Sequence, residues 1–442
     1  MRARQLFLES LLAHDVTMFF GNPGSTENAV VDGLFEFDAL RYILALHEGV
    51  AVGAATFYAQ ASGKTPMVNL HAGPGLGNGI GMIYGALRAN VPMIVTAGQQ
   101  DTRMRMREPV LSHDLAAMAA PVVKFSMQIE QADEVSQAVR LAYKIANEAP
   151  KGPVFLALPL NVMEQETDAA LQGPGAIFHA AADAAGIKRA AEILAGASKP
   201  IIVAGDGVAQ AGASDAVGRL AELTGAEIWF EPSRGRYPVA ADHRCVRGSL
   251  PFDSIAMRAL FENADAIFMM GGRFFEELWY NADTSPLAGI KAKVVQIDDG
   301  EARLAQFHAV DLGLIGDMGG AADALIAALE PSLDDAYRAA AEARLAGVAI
   351  AREERTVRQA TRTEAPGAPG KVSVARAMAA LRDTAPANTA YANEIITTRL
   401  DLTAPSMRWV RMISSAGAAA AFSLAAATEP APPQRDIGCV GE

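Results

Sequence analysis

The feature of this 442-residue chain that most restricts its fold is an alternation. Short apolar or β-branched runs at 16–20, 41–46, 67–70, 93–97 and 154–158 are separated by stretches of helical composition, such as 50–62 and 78–90, rich in Ala and other small residues. Strand, helix and strand in succession pack as a crossover between parallel strands. The first 165 residues therefore predict a mostly parallel sheet with helices on both faces.

The pattern repeats. A Gly- and Ala-rich stretch at 165–186 has no clear periodicity and reads as a linker. Strands are then predicted at 200–204, 227–230, 266–270 and 293–297, again with helices between them, giving a second unit over 187–330. Residues 331–362 form an Ala-, Glu- and Arg-rich helix, and the segment TEAPGAPG at 363–370 cannot continue it. The remainder, 371–442, predicts a helix at 373–383, a strand at 389–392 and an Ala-rich helix at 416–428, about half a domain by length. The expected fold class is α/β: three doubly wound parallel-sheet domains in tandem, the third incomplete.

Composition excludes some classes of function. A formal net charge of −12 argues against a nucleic-acid partner, which would draw on clustered Lys and Arg. The chain is 51% hydrophobic, with no run of 18 apolar residues that would cross a bilayer. Glu9, His14 and Asp15 interrupt any signal-peptide core. Two cysteines, Cys245 and Cys439, make no disulfide framework and no metal spacing, so a reducing cytoplasm is expected and both thiols read as small apolar side chains.

Four strand-end loops carry polar groups. In Gly21-Asn22-Pro23-Gly24-Ser25-Thr26-Glu27 the glycines permit close backbone approach, and Ser25 offers a hydroxyl to a ligand or a cap to the next helix. Glu48, in Leu46-His47-Glu48-Gly49 after an apolar strand, is a candidate acid or base, with a helix cap as the alternative. Asn69-Leu70-His71 leads into the glycine-rich turn Ala72-Gly73-Pro74-Gly75-Leu76-Gly77-Asn78, where His71 is either structural or a proton carrier at the same sheet edge. Gln99 and Gln100 end another strand, as ligands for polar atoms or as partners for each other.

Together and in this order, GNPGSTE, HEGVAVGAATFYAQASGK, NLHAGPGLGN, VPMIVTAGQQ and GPVFLALP resemble the pyrimidine-binding domain of thiamine-diphosphate-dependent 2-oxo-acid decarboxylases of the benzoylformate decarboxylase type. The resemblance continues through 243–248 and Gly271-Gly272, and weakens beyond 330. It implies non-oxidative decarboxylation, or carboligation, of an aromatic or branched 2-oxo acid, with thiamine diphosphate and Mg²⁺ as cofactors. Glu48 would exchange a proton with the aminopyrimidine ring, Ser25 would hydrogen-bond the substrate carboxylate, and His71 would move protons on substrate-derived groups. Pro23, Gly24, Asn78, Gln100 and Glu394 would complete the cofactor contacts. Because such sites lie between two subunits, a homodimer or homotetramer is implied.

The sequence departs from that pattern in three places. The family's Gly-Asp-Gly metal motif should lie in the third domain, whereas Gly205-Asp206-Gly207 lies in the second and reads as a strand-to-helix turn, so no metal ligand is assigned. The segment 414–427 replaces a glycine-rich helix start. Residues 273–278 lack the family's second histidine, leaving Glu276, Glu277 or Tyr280 as substitutes. A truncated family member, inactive alone or acting as dimer partner of a complete paralogue, is therefore the alternative expectation.

Overall fold

The computed structural model describes residues 1–175, 180–275, 285–364, 371–386, 391–393 and 412–414. Six strands build the first sheet: β1 (Met18–Gly21), β2 (Arg41–Leu44), β3 (Met67–Leu70), β4 (Met93–Gln99), β5 (Ser126–Gln128) and β6 (Pro153–Pro159). All pair in parallel, in the order β2-β1-β3-β4-β6-β5. Strands β3, β4 and β6 are buried along their whole length, which accounts for their continuous apolar sequences. The helices α1 (Ala3–Ala13), α2 (Asn28–Gly33), α3 (Glu48–Ser62), α4 (Ala72–Arg88), α5 (Leu115–Ala119), α6 (Val135–Asn147) and α7 (Leu160–Met163) make the crossovers and cover both faces, one core lying under α1 and α6 and the other under α3 and α4.

The second sheet comprises β7 (Pro200–Ala204), β8 (Glu227–Phe230), β9 (Val246–Ser249), β10 (Ala266–Met270), β11 (Lys293–Asp298) and β12 (Leu312–Ile315), in the order β12-β11-β10-β7-β8-β9. Its helices are α8 (Ala184–Ala195), α9 (Asp206–Gln210), α10 (Ser214–Thr224), α11 (Ser254–Phe261) and α12 (Met318–Leu329). The long helix α13 (Asp335–Glu364) lies against this unit, α14 (Val374–Thr384) follows, and β13 (Tyr391–Asn393) pairs in parallel with β14 (Met412–Ser414).

Sequence pattern located β3, β7, β8 and β10 to the residue. Four short strands lay outside the prediction: β5, β9 and β12, each at a sheet edge, and β14. Helix α8 begins at Ala184, inside the predicted linker, because Asp183 accepts a hydrogen bond from the Gly186 N–H at 2.9 Å and caps it. The helix expected at 78–90 begins six residues earlier, at Ala72, so the Gly73-to-Gly77 run is its first turns rather than a loop. The predicted helix at 416–428, Glu394 and Cys439 lie outside the described residues.

The second sheet reverses its winding direction once and the first twice, beside β1 and where β6 returns to lie between β4 and β5, and such a point leaves a crevice beyond the strands' carboxyl ends. In the second sheet the crevice lies between β7 and β10, and the chain itself fills it. Gly207 donates its N–H to the Gly271 carbonyl at 2.7 Å, and both Asp206 carboxylate oxygens accept from the Gly235 N–H at 2.9 Å. Gly205-Asp206-Gly207 is thus a closed turn, as its sequence suggested. In the first sheet one reversal lies between β1 and β3, whose ends carry the Asn22-to-Glu27 loop and His71.

A candidate active site at the first sheet's carboxyl edge

Glu48 is the first residue of α3, not the end of a strand, since β2 stops at Leu44. The capping alternative for Glu48 falls to its neighbour: His47 Nδ1 accepts from the Gly49 N–H at 3.0 Å. Glu48 is only 6% exposed, yet the bonds to its carboxylate come from neutral amides. Asn22 Nδ2 donates to Oε1 at 3.2 Å and Asn78 Nδ2 to Oε2 at 3.1 Å. A Cβ built on Gly75 would stand 3.1 Å from Glu48 Oε1, so the glycine-rich start of α4 is what gives the carboxylate room.

His71 is the N-cap of α4. Its Nδ1 lies 2.8 Å from Glu27 Oε2, and its side chain is 28% exposed while that of Glu27 is 1% exposed. Gly24 sits against the imidazole so closely that any Cβ there would overlap the ring. Ala72, next in the chain, holds a φ of 45° with no exposure. A left-handed alanine costs roughly 1–2 kcal/mol, and the Ala72 N–H bond to Glu27 Oε1 at 3.2 Å helps to hold it. Burial, with the nearby Glu27 charge, pushes the Tyr42 phenol well above its ordinary pKa. Its hydroxyl donates to Asn69 Oδ1 at 3.2 Å.

The structure therefore brings Gly24, Glu48, His71 and Asn78 together around the first turns of α4. Ser25 is exposed, and Gly24, not Ser25, stands as N-cap of the short turn Ser25–Glu27, so the capping alternative for Ser25 is corrected. Gln100 lies just beyond β4, where its backbone N–H donates to Gln99 Oε1 at 3.0 Å. Pro23 is partly buried in the loop after β1. Two residues escaped the sequence reading: Asn22, which bonds Glu48, and Glu27, which organises His71. Among the described residues no group of three or more His, Cys, Asp or Glu is placed to hold a metal ion.

Comparison with known proteins places this arrangement. Residues 1–119 match the thiamine pyrophosphate enzyme N-terminal TPP binding domain, and residues 187–325 match the thiamine pyrophosphate enzyme central domain. The chain is 34% identical over 331 residues to benzoylformate decarboxylase of Pseudomonas aeruginosa, covering 73% of this chain and 61% of that protein. It is 29% identical over 338 residues to a probable acetolactate synthase large subunit of Methanocaldococcus jannaschii, covering 74% of this chain and 56% of that protein. It thus spans less than two thirds of the length of either relative. Among solved structures it resembles a thiamin diphosphate-dependent enzyme from Mycobacterium smegmatis, with a TM-score of 0.78 and 27% identity over 94% of this chain and 76% of the other. A 4-hydroxybenzoylformate decarboxylase from Rhodococcus jostii matches with a TM-score of 0.78 and 25% identity over 94% of this chain and 75% of the other. With its N-terminal and central domains both matched, the chain belongs to the thiamine pyrophosphate enzymes.

Proposed function

We propose that this chain provides the pyrimidine-binding half of a thiamine-diphosphate-dependent site that decarboxylates, or ligates, an aromatic or branched 2-oxo acid. One observation carries the reading: the Glu48 carboxylate is buried, faces a glycine-lined surface, and is bonded by two amides instead of a cation. A carboxylate so placed suits sharing a proton with a ring nitrogen. The donor set fits the pyrimidine end of the cofactor, with Glu48, Gly24, Pro23, Asn78 and Gln100 as its holders. Among the described residues no His, Cys, Asp and Glu cluster is placed to hold Mg²⁺, and the Asp206 oxygens are already engaged by the Gly235 and Arg236 N–H groups.

When bound, the cofactor supplies a carbon nucleophile and an electron sink for the pair released with carbon dioxide. The chain's own residues handle binding and protons. Glu48 holds one at Oε1 or Oε2, His71 exchanges one at Nε2 because Nδ1 is committed to Glu27, and Ser25 presents its hydroxyl to the substrate carboxylate. Similarity to benzoylformate decarboxylase supports the aromatic 2-oxo acid, and Leu44, Leu46, Met106 and Val110, 66–99% exposed near the same edge, support a second copy completing the site.

Titration calorimetry with thiamine diphosphate and Mg²⁺ tests this. Saturable heat that Glu48→Gln weakens is expected; no heat at millimolar cofactor in the intact chain removes the reading. Light scattering should return a dimer or tetramer mass.

A further inference from the structure

Proton exchange at Glu48 needs a carboxylate held in one orientation, and of the two amides bonded to it one comes from outside α4. Asn78 is exposed on that helix and is already a holder of the cofactor, whereas Asn22 belongs to the loop after β1. Resting on the function proposed above, we infer that Asn22 is a positioning residue: its amide holds Glu48 Oε1 so that the carboxylate meets the cofactor ring as a proton acceptor.

The loop gives Asn22 little freedom. Its backbone N–H donates to the Asn69 carbonyl at 3.2 Å, and the Gly21 carbonyl just before it accepts from the Ala45 N–H at 2.8 Å. A Cβ on Gly21 would lie 2.4 Å from that same Asn69 oxygen, so the chain passes β3 at a distance that only glycine permits. Asn69 in turn is fully buried, and its side chain is bonded at both ends: Nδ2 donates to Thr96 Oγ1 at 3.1 Å, and Oδ1 accepts from the Tyr42 hydroxyl at 3.2 Å. Pro23, next along the chain, disfavours helical backbone at Asn22. A side chain mounted on such a frame keeps its direction, and a partner so fixed orients the group that it bonds.

The polarity of the contact is equally specific. An ionised carboxylate only accepts, so the Asn22 amide must turn its NH₂ toward Oε1. Neither amide can give up a proton, and the one that Glu48 shares with the ring nitrogen therefore comes from solvent as the cofactor binds. A carboxylate at position 22 reverses this. Two carboxyl groups about 3 Å apart do not both ionise and hold one proton between them. An aspartate there would bring to the free protein the proton that Glu48 otherwise gains on binding.

Calorimetric titration of the full chain with thiamine diphosphate and Mg²⁺, repeated in buffers of different ionisation enthalpy, counts the protons taken up per site. Asn22→Asp should take up about one proton fewer than the parent, a readout that a merely structural role would not move. Asn22→Ala, which cannot hold that proton, should match the parent's uptake while binding about tenfold more weakly, the size of loss that supporting partners produce. Equal proton uptake by Asn22→Asp and the parent overturns the inference and leaves the proposed function standing, as does parental affinity in Asn22→Ala. No heat from the parent removes both. Melting curves taken alongside show whether either variant has failed to fold, and if Asn22→Asp has, the affinity of Asn22→Ala decides.

Discussion

His71 Nδ1 stands 2.8 Å from Glu27 Oε2, and the other groups bonded to that carboxylate are donors too. Gly24 N–H reaches Oε2 at 2.8 Å, while Thr26 Oγ1 at 2.8 Å, Gly98 N–H at 2.8 Å and Ala72 N–H at 3.2 Å reach Oε1. The loops after β1 and β3 and the end of β4 therefore meet on one buried side chain. Replacing it by glutamine puts an NH₂ where a backbone N–H must donate, and each buried donor left unsatisfied costs about 1–3 kcal/mol. Glu27→Gln should lose roughly 2–4 kcal/mol in urea unfolding and, in a cofactor-loaded enzyme, slow turnover about 10-fold or more as His71 loses its orientation. A variant as stable as its parent would show that the carboxylate does not join the loops.

Gly24→Ala approaches the same histidine sterically. A methyl group there overlaps the imidazole, so the ring must swing away from Glu27. Overpacking of this kind costs about 1–3 kcal/mol, and the sharper consequence should be at the ring. The His71 signals in a histidine-labelled NMR spectrum should move while those of His14, the buried C-cap of α1, stay in place. Coincident spectra would contradict the close approach.

How much of this was legible in the sequence follows from where each partner sits along the chain. Glu48 and His71 could be singled out because a polar side chain ending an apolar run is visible locally. Glu27 could not: its bonds to Ala72 and Gly98 join positions 45 and 71 residues away, and within its own loop it reads only as an acidic residue in a first turn. The glycine run at 73–77 looked like a loop because glycine lowers helix propensity by about 1 kcal/mol per residue. Packing against Glu48, Leu115 and Met118 outweighs that cost and makes it helix. The strands β5, β9 and β12 were missed because Ser126-Met127-Gln128, Val246-Arg247-Gly248-Ser249 and Leu312-Gly313-Leu314-Ile315 are short and partly solvated.

Asp298, at the end of β11, sets the sign of a pH effect. Burial, opposed by Arg303 and reinforced by Asp299, pushes its carboxyl up to about 7. Below about pH 4 both folded and unfolded chains hold this proton, so it contributes nothing. Between about pH 4 and 7 the unfolded chain releases it first, and stability falls as pH rises; above 7 the penalty is constant. Burial raises Asp206 in the same direction. Asp298→Asn should therefore gain roughly 1–3 kcal/mol at pH 8 and little at pH 4.5, flattening part of the slope while Asp206 keeps the rest. Equal effects of the substitution at the two pH values in urea unfolding would rule out the buried acid as their cause.

Docking of α13 can be separated from backbone strain by two glycines of one unit. Gly225, ending α10, has a φ of 65°, and Gly212 has a φ of 68°, so an alanine at either must adopt the left-handed conformation at about 1–2 kcal/mol. Their surroundings differ. A Cβ on Gly212 meets nothing within 4 Å, whereas one on Gly225 would lie 2.6 Å from the Ala341 carbonyl oxygen and 2.7 Å from Ala341 Cα, both on α13. Arg344, one turn along α13, donates Nη2 to the Thr224 carbonyl at 2.8 Å and would be displaced with it. Gly212→Ala should thus cost only the conformational increment, while Gly225→Ala should cost about 1–3 kcal/mol more and expose α13 to limited proteolysis. Since the two φ values agree within a few degrees, that difference measures helix docking alone, and equal losses in the two variants would mean that α13 does not bear on the α10 terminus.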